Sequence, residues 1–221
     1  MDSSTHLLIS LASSPTNLAY SHQFVPLCYQ VVLSRRCIAE QKAREDRGLP
    51  PKLRPINSGS LVSKLVLSSV LASPAAKRAA ERVAPYQLSL GTSRGVEKLI
   101  HICRAAYHNR HLVGKNDFEN GFNSLSRQRM LDNHSLLFPE STDIFNFFYG
   151  IDSPVYLLDN NNELVVLWSQ QGSRQGCSIG TEGFCLGIHP LLQELQKRYP
   201  DFEFRLITDD LVPIAPPPAA E

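Results

Sequence analysis

Two adjacent carboxylates near the end of the chain are the side chains whose type and spacing best suit chemistry. Asp209 and Asp210 close the apolar stretch Phe202 to Ile207, where a turn would expose both of them. Asp117 follows another short apolar element, Leu112-Val113, much earlier in the chain. Carboxylates gathered in one place need a cation, and hard oxygen ligands select Mg²⁺ or Mn²⁺. Taken alone, the three residues are better explained as a turn and a helix cap, where Asp is common.

The polar segment Gly172 to Gly180 is the other stretch that could bind a ligand. It leads into a predicted helix, and backbone N–H groups at the start of a helix suit an anion. It is not a Walker loop, because no Gly-Lys-Ser/Thr follows it. By itself the segment is more typical of a plain loop before a helix.

The hydrophobic pattern predicts the elements that must position these residues. Helical spacing is found over residues 60–82, 95–110, a run ending near 137, and 180–195. Apolar runs on both sides of the Asn-rich turn at 159–163 predict a β-hairpin, Pro154 to Leu158 with Leu164 to Trp168. We expect the strand ending at Ile207 to pair antiparallel with Leu211–Ile214, beside the strand that ends at Asp117. The prolines from Pro213 onward are expected to end regular structure.

Composition sets broad limits on the class of protein. The chain has 221 residues, of which 43% are hydrophobic and 19% charged, as in ordinary globular proteins. Its net charge of +1 indicates no global attraction to nucleic acid or a membrane, and no apolar run is long enough to span a bilayer. Five cysteines without a C-x-x-C pair predict neither a disulfide framework nor a zinc site. We therefore expect an intracellular protein, nuclear or cytoplasmic, that does not bind membranes.

Four short motifs follow one another along the chain. They are Arg54-Pro55-Ile56, Asp117-Phe118-x-x-Gly121-Phe122, Ser173-Arg174-Gln175-Gly176-Cys177 and Ile207-Thr208-Asp209-Asp210. Each is weak alone, but in this order they resemble the reverse-transcriptase family. That family carries Arg-Pro-Ile in its fingers, then Asp-Phe-x-x-Ala-Phe, a Gln-Gly loop and Tyr-x-Asp-Asp in its palm. Gln87 to Glu97 also resembles the segment before the first palm motif of retrotransposon members, so the resemblance spans residues 30–214.

The resemblance implies an α+β fold: a right-hand palm with partial fingers, in which helices back an antiparallel sheet. Residues 1–110 would form the partial fingers and lead-in helices, 111–214 the palm, and 215–221 a Pro/Ala-rich tail. Because the sequence ends at Glu221, soon after Asp210, we expect the thumb to be absent and the chain to be a fingers–palm fragment.

The resemblance also implies a metal site. Asp117, Asp209 and Asp210 would be the catalytic residues and would hold two divalent metals, Mg²⁺ or Mn²⁺. One metal would lower the pKa of a primer 3′-hydroxyl, and the other would steady the triphosphate and the pyrophosphate leaving group. The partners implied are an RNA template, a DNA or RNA primer and deoxynucleoside triphosphates.

Four further residues are implied to bind the nucleotide. Arg54 would contact the triphosphate, and Gln175 with Gly176 would touch the sugar or base. Phe122 would lie beneath the sugar and crowd a 2′-hydroxyl, which selects deoxynucleotides. The alternative for Phe122 is a core aromatic. The basic segment Arg35 to Arg54, with seven basic and three acidic residues, would contact the template backbone.

Departures from the family pattern leave two other functions open. Ile207 stands where the family usually has Tyr, Gly121 where Ala is common, and Cys177 where Asp is frequent. None of these removes a metal ligand. A viral RNA-dependent RNA polymerase shares the palm, but its gate position tends to be polar, unlike Phe122. A truncated, catalytically inactive nucleic-acid-binding remnant is the alternative of a different class.

Overall fold

The computed structural model describes residues 30–31, 43, 46–48, 57–84, 86–118, 120–158 and 163–217. Most of the basic segment from Arg35 to Arg54, including Arg54 itself, lies outside these described residues. So does most of the tail predicted for residues 215–221, of which 215–217 are described.

Seven α-helices are present in the described part of the chain. They are α1 Leu61–Leu71, α2 Pro74–Val83, α3 Gly95–His108, α4 Gly121–Ser124, α5 Arg127–Leu137, α6 Thr142–Tyr149 and α7 Gly180–Arg198, and a 3₁₀ turn, Pro139–Ser141, precedes α6. The helix predicted over 60–82 is divided in two, because Ser73 caps α2 by accepting from the Ala76 N–H and Pro74 takes its first position. The helix predicted to end near residue 137 is observed as α5. It begins after Ser126, whose Oγ caps it by accepting a hydrogen bond from the Arg129 N–H.

Within the residues that the structure describes, eight strands form two sheets. The strands are β1 Gln30–Val31, β2 Asn57–Ser58, β3 Leu112–Val113, β4 Asn116–Asp117, β5 Ser153–Leu158, β6 Leu164–Ser169, β7 Glu203–Ile207 and β8 Asp210–Ala215. The first sheet has the order β2-β1-β5-β6, with β1 and β5 parallel and the other pairs antiparallel. The predicted hairpin of β5 and β6 is confirmed, from Ser153 opposite Ser169 to Leu158 opposite Leu164.

The second sheet carries the candidate site. Its central strand is β8, which pairs antiparallel with β7 on one side and with β3 and β4 on the other. The predicted pairing of the strand ending at Ile207 with Leu211–Ile214 is confirmed. The expectation that the strand ending at Ile207 lies beside the strand ending at Asp117 is wrong, because β8 lies between β7 and β4 and pairs with both. The fold class is α+β, as predicted, with helices packed on an antiparallel sheet.

Pro213 does not end the strand, so that expectation is wrong. Pro213 lies inside β8 opposite Phe204, and its carbonyl accepts a hydrogen bond from the Gly114 N–H at 2.9 Å. A residue in an antiparallel strand directs its N and its C=O to the same side. The missing N–H therefore faces the break between β3 and β4 at Gly114 and leaves the ladder to β7 intact.

Helix α7 is the centre of the core and separates two hydrophobic clusters. One face packs on β7 and β8 through Phe184, Ile188 and Leu192, all at most 5% exposed. The opposite face carries Gly183 and Gly187, where an added Cβ would lie 2.5 Å from the Phe145 ring and 2.6 Å from a Leu125 methyl. These two glycines let α5 and α6 approach the helix closely, so α7 holds the sheet in a defined position.

In the part of the chain that the structure describes, no helix combines the length and the apolar character needed to cross a bilayer.

Candidate active site

The candidate site lies at the end of the β7–β8 hairpin. Ile207 and Asp210 are the last register pair, so Thr208 and Asp209 form a two-residue turn. On the other side of β8, Asp210 lies opposite Asp117 of β4. Directly opposite residues project from the same face of a sheet with Cβ atoms about 4.5–5.5 Å apart. The fold therefore brings Asp117 and Asp210 together and places Asp209 next to them on the turn.

The turn has an unusual backbone. Thr208 has φ +58°, whereas Asp209 is not among the residues with positive φ. This sign pattern is that of a type II′ hairpin turn, whose first central position normally takes Gly. A β-branched residue with positive φ at that position is strained, by roughly 1–3 kcal/mol.

Lys115 supplies a positive charge beside the carboxylates. Its Nζ lies 3.0 Å from Oδ1 of Asp210, and the two side chains are 70% and 44% exposed. Like charges directly opposite each other destabilise a strand pair, so this ion pair offsets part of the repulsion between Asp117 and Asp210. Because both groups are well exposed to water, the pair contributes less than about 1 kcal/mol.

The three aspartates offer the type of ligand atom that a divalent cation binds. Carboxylate oxygens are the ligands that Mg²⁺ and Mn²⁺ prefer, and two of the three side chains share one face of the sheet. Within the described ranges, however, no group of three His, Cys, Asp or Glu side chains stands close enough to hold a metal. The assignment of Asp117, Asp209 and Asp210 as metal ligands therefore stays a prediction.

Phe122 packs on α7 beside the site. Its ring stacks on Phe184, with centroids 4.9 Å apart and planes 17° from parallel, and it is only partly buried. The sequence left open whether Phe122 is a sugar gate or a core aromatic, and this position is compatible with both. Gly121, where the family commonly has Ala, has little room for a Cβ: 3.0 Å from Phe118 and 3.2 Å from the Phe184 ring.

The loop with Gln175 and Gly176 is attached to the segment that carries Asp117 and Phe122. The Ser173 N–H donates to the Phe122 carbonyl at 2.7 Å. Gly172 has φ +60°, and a Cβ there would lie 2.7 Å from the Asn123 backbone, so only glycine permits this approach. Gln175 is partly exposed, Gly176 is exposed, and the Gln175 carbonyl accepts from the Asn57 N–H at 2.8 Å. The loop is thus bonded to both β2 and α4, and its two predicted nucleotide-binding residues are at least partly exposed.

Sequence reasoning missed Arg127, which anchors the start of this loop. Its guanidinium donates to the Gly172 carbonyl at 3.2 Å, to the Gln171 carbonyl at 3.1 Å, and to the carbonyl and Oγ of Ser169 at 2.6 and 2.9 Å. The side chain is nearly buried, at 8% exposure. The available signal was its position at the start of α5, where a positive charge opposes the helix dipole.

Two titratable groups of α7 lie buried near the turn. Burial raises the pKa of Glu182 to about 7. Burial also raises the pKa of Cys185 to about 12; a hydrogen bond with Ser89 lowers it, and the charges of Glu182 and Asp209 raise it further.

Comparisons with known proteins bear on this geometry. No protein-family model matches the sequence. The chain is 26% identical over 171 residues to the retrotransposable element SLACS 132 kDa protein of Trypanosoma brucei gambiense. That alignment covers 75% of this chain and 14% of the relative, so the chain spans about a seventh of the protein it matches.

Solved structures show the fold. The telomerase of Candida albicans, in complex with a fragment of telomeric RNA, superposes with a TM-score of 0.52 at 14% identity, covering 87% of this chain and 38% of that one. A partial Cas6-RT-Cas1–Cas2 complex gives a TM-score of 0.43 at 13% identity, covering 97% of this chain and 34% of that one, and adds no weight. The chain is thus similar in sequence to a retrotransposon protein and in fold to a telomerase, and both likenesses support the resemblance to the reverse-transcriptase family that its ordered motifs indicate.

Proposed function

We propose that this chain forms part of the catalytic core of an RNA-directed DNA polymerase, which adds deoxynucleotides to a primer 3′ end on an RNA template. The observation that carries the proposal is the register of β4 and β8, which sets Asp117 opposite Asp210 beside the turn that carries Asp209. These are the three residues that the family motifs single out.

The carboxylates would act as metal ligands. Asp117 and Asp210 present oxygens from one face of the sheet, and Asp209 adds its own from the turn. Two bound divalent cations would supply the positive charge that activates a primer hydroxyl and stabilises the pyrophosphate leaving group. Lys115 holds Asp210 in the metal-free protein. Its side chain is exposed and flexible, so it can leave that carboxylate at little cost.

The surrounding residues would orient the nucleotide. Phe122 lies on the segment directly after Asp117, where its ring would limit the space for a 2′-hydroxyl. Gln175 and Gly176 sit at the surface of a loop bonded to the Phe122 carbonyl, within the same structural unit. Arg54, the proposed triphosphate contact, precedes Asn57 by three residues, and Asn57 donates to the Gln175 carbonyl. An RNA partner is supported by the telomerase, which was solved with telomeric RNA.

One observation favours the alternative, an inactive nucleic-acid-binding remnant. The Lys115–Asp210 ion pair satisfies one carboxylate without a metal. In a remnant of this kind the charge of Asp210 would serve the stability of the sheet only.

Mn²⁺ binding separates the two functions without requiring the rest of the polymerase. Water-proton relaxation of the 221-residue chain is measured during titration with Mn²⁺. We expect a bound Mn²⁺ in the wild type and an affinity lower by about tenfold or more in Asp209→Asn and in Asp210→Asn. Asp201→Asn, at an exposed aspartate before β7, serves as the matched control and should bind as the wild type does.

A primer-extension assay then tests the reaction itself. The chain is fused to the thumb domain of a characterised reverse transcriptase and supplied with an RNA template, a DNA primer and Mg²⁺. Extension that depends on Asp117, Asp209 and Asp210 is expected. A wild-type chain that binds no Mn²⁺, or equal Mn²⁺ binding by Asp209→Asn and the wild type, would refute the polymerase function.

A further inference from the structure

A buried glutamine joins the turn of the β7–β8 hairpin to a distant segment. Gln87 is 0% exposed. Its Nε2 donates to the Thr208 carbonyl at 3.2 Å, and its Oε1 accepts from the Thr208 N–H at 2.8 Å, across a separation of 121 residues. The side-chain amide therefore pairs with both backbone groups of one residue, as a neighbouring strand would.

Thr208 is the residue of the hairpin that most needs such a partner. Its φ is +58°, a positive value that a β-branched side chain disfavours, and it directly precedes Asp209. In a two-residue turn without a glycine, nothing local enforces this conformation. The two hydrogen bonds from Gln87 supply the constraint that the sequence of the turn does not.

Gln87 is itself held firmly in place. Its Oε1 also accepts from the Ser89 hydroxyl at 2.7 Å and from the Ser89 N–H at 3.3 Å. On both sides of Gln87 the backbone pairs with β7: the Leu206 N–H donates to the Tyr86 carbonyl at 2.7 Å, and the Leu88 N–H donates to the Leu206 carbonyl at 2.8 Å. The amide is thus presented to the turn from a segment that cannot shift along the strand.

We propose that Gln87 is a positioning residue, whose amide sets the Thr208–Asp209 turn and thereby the direction in which Asp209 presents its carboxylate to a divalent metal. The part that concerns metal rests on the proposed function, whereas the part that concerns the turn does not. A methionine would fill the same buried volume, but only an amide offers one donor and one acceptor together. Gln87→Met therefore removes the constraint and keeps the packing.

Backbone hydrogen exchange, followed by NMR in the full chain without metal, tests the turn. In Gln87→Met the Thr208 amide should exchange about tenfold faster or more, because its acceptor is lost. The Leu88 and Leu206 amides report whether the segment stays paired with β7, and they should change far less. Gln196→Met is the matched control, since its amide bonds to the carbonyls of Tyr199, Pro200 and Phe202. An unchanged Thr208 rate, or an equal acceleration of all three amides, would overturn the proposal.

Mn²⁺ titration with a rescue variant tests the effect on Asp209. Gln87→Met should bind Mn²⁺ more weakly by about tenfold. Thr208→Gly should recover most of that loss in the Gln87→Met background, because glycine is the residue that favours the first central position of a type II′ turn. A loss that Thr208→Gly does not recover would show that Gln87 does not act through the turn. Failure of the wild type to bind Mn²⁺ would refute the proposed function and the metal part of this inference, while the exchange rates still decide the turn.

Discussion

Replacing Arg127 with methionine should destabilise the protein strongly by releasing the loop that leads to Gln175. The guanidinium donates four hydrogen bonds to three residues: Ser169 at the end of β6, and Gln171 and Gly172 at the start of the loop. Burial lowers the pKa of Arg127, and the nearby charge of Arg174 lowers it further. A guanidinium still stays protonated, so this is a buried charge satisfied by loop carbonyls.

The magnitude follows from what the substitution leaves behind. Each hydrogen bond to a charged group contributes about 1.5–3 kcal/mol, but the cost of burying the guanidinium offsets much of the sum. Removing one partner of a buried charged network costs about 3–5 kcal/mol, because the acceptors lose their donors without regaining water. We expect Arg127→Met to lower the free energy of unfolding by that amount. Arg127→Lys keeps the charge but cannot form the fork, so it should cost about 1–2 kcal/mol less than Arg127→Met.

The measurement is urea unfolding of the full chain followed by circular dichroism. Arg129→Met is the matched control, because Arg129 is exposed on the same helix, and its free energy of unfolding should stay within about 0.5 kcal/mol of the wild type. A decrease of less than about 1 kcal/mol in the free energy of unfolding of Arg127→Met would mean that other contacts hold the loop and that the four hydrogen bonds of Arg127 contribute little to stability.

Three further outcomes are expected. Lys115→Met should raise Mn²⁺ affinity severalfold in the relaxation titration, because it removes the cation that now pairs with Asp210; lower affinity would mean that Lys115 assists binding. Phe122→Val should increase ribonucleotide use relative to deoxynucleotide use in the thumb fusion, and unchanged discrimination in an active enzyme would make Phe122 a core residue. Burial lowers the pKa of His134 from its ordinary 6.5 to about 3, so the unfolded state binds the extra proton and the contribution of His134 to stability should fall as the pH drops from about 6.5 towards 3. Buried Glu182, whose pKa is raised to about 7, has the opposite effect in the same range. The measurement is therefore the difference in the free energy of urea unfolding between the wild type and His134→Leu, which should shift against the wild type between pH 7.5 and 4.5; an unchanged difference would contradict the prediction.

Local sequence patterns were sufficient to predict the helices and strands whose apolar residues recur at regular spacing. Helix α7 and the β5–β6 and β7–β8 hairpins follow the sequence prediction closely, because their apolar spacing and turns are local features. Helix α6 was not predicted, although its buried residues Ile144, Phe145, Phe148 and Tyr149 have helical spacing, because an eight-residue helix is shorter than the window over which such a period is recognised. The break before α2 was also missed, although Ser73-Pro74 is a helix start that hydrophobic spacing alone does not reveal.

Some features of the candidate site were likewise predicted from the sequence, and others were not. The order of the motifs indicated which aspartates belong together, and the register of β4 with β8 brings Asp117 and Asp210 opposite each other. The sequence did not indicate the Lys115 ion pair or the stacking of Phe122 on Phe184. Those contacts depend on which side chains face each other across strands and helices that are far apart in the chain.

The sequence by itself indicated the α+β class, through the order of its motifs, the carboxylates proposed as metal ligands, and the hairpin that turns at Thr208 and Asp209, because residue type, period and turn length are local features. Only the tertiary structure decided how that turn is held. Gln87 reaches Thr208 across 121 residues, and Arg127 reaches Ser169 across 42. A buried polar group must find its partner wherever the packed chain supplies one, and no short-range pattern in the sequence records that choice.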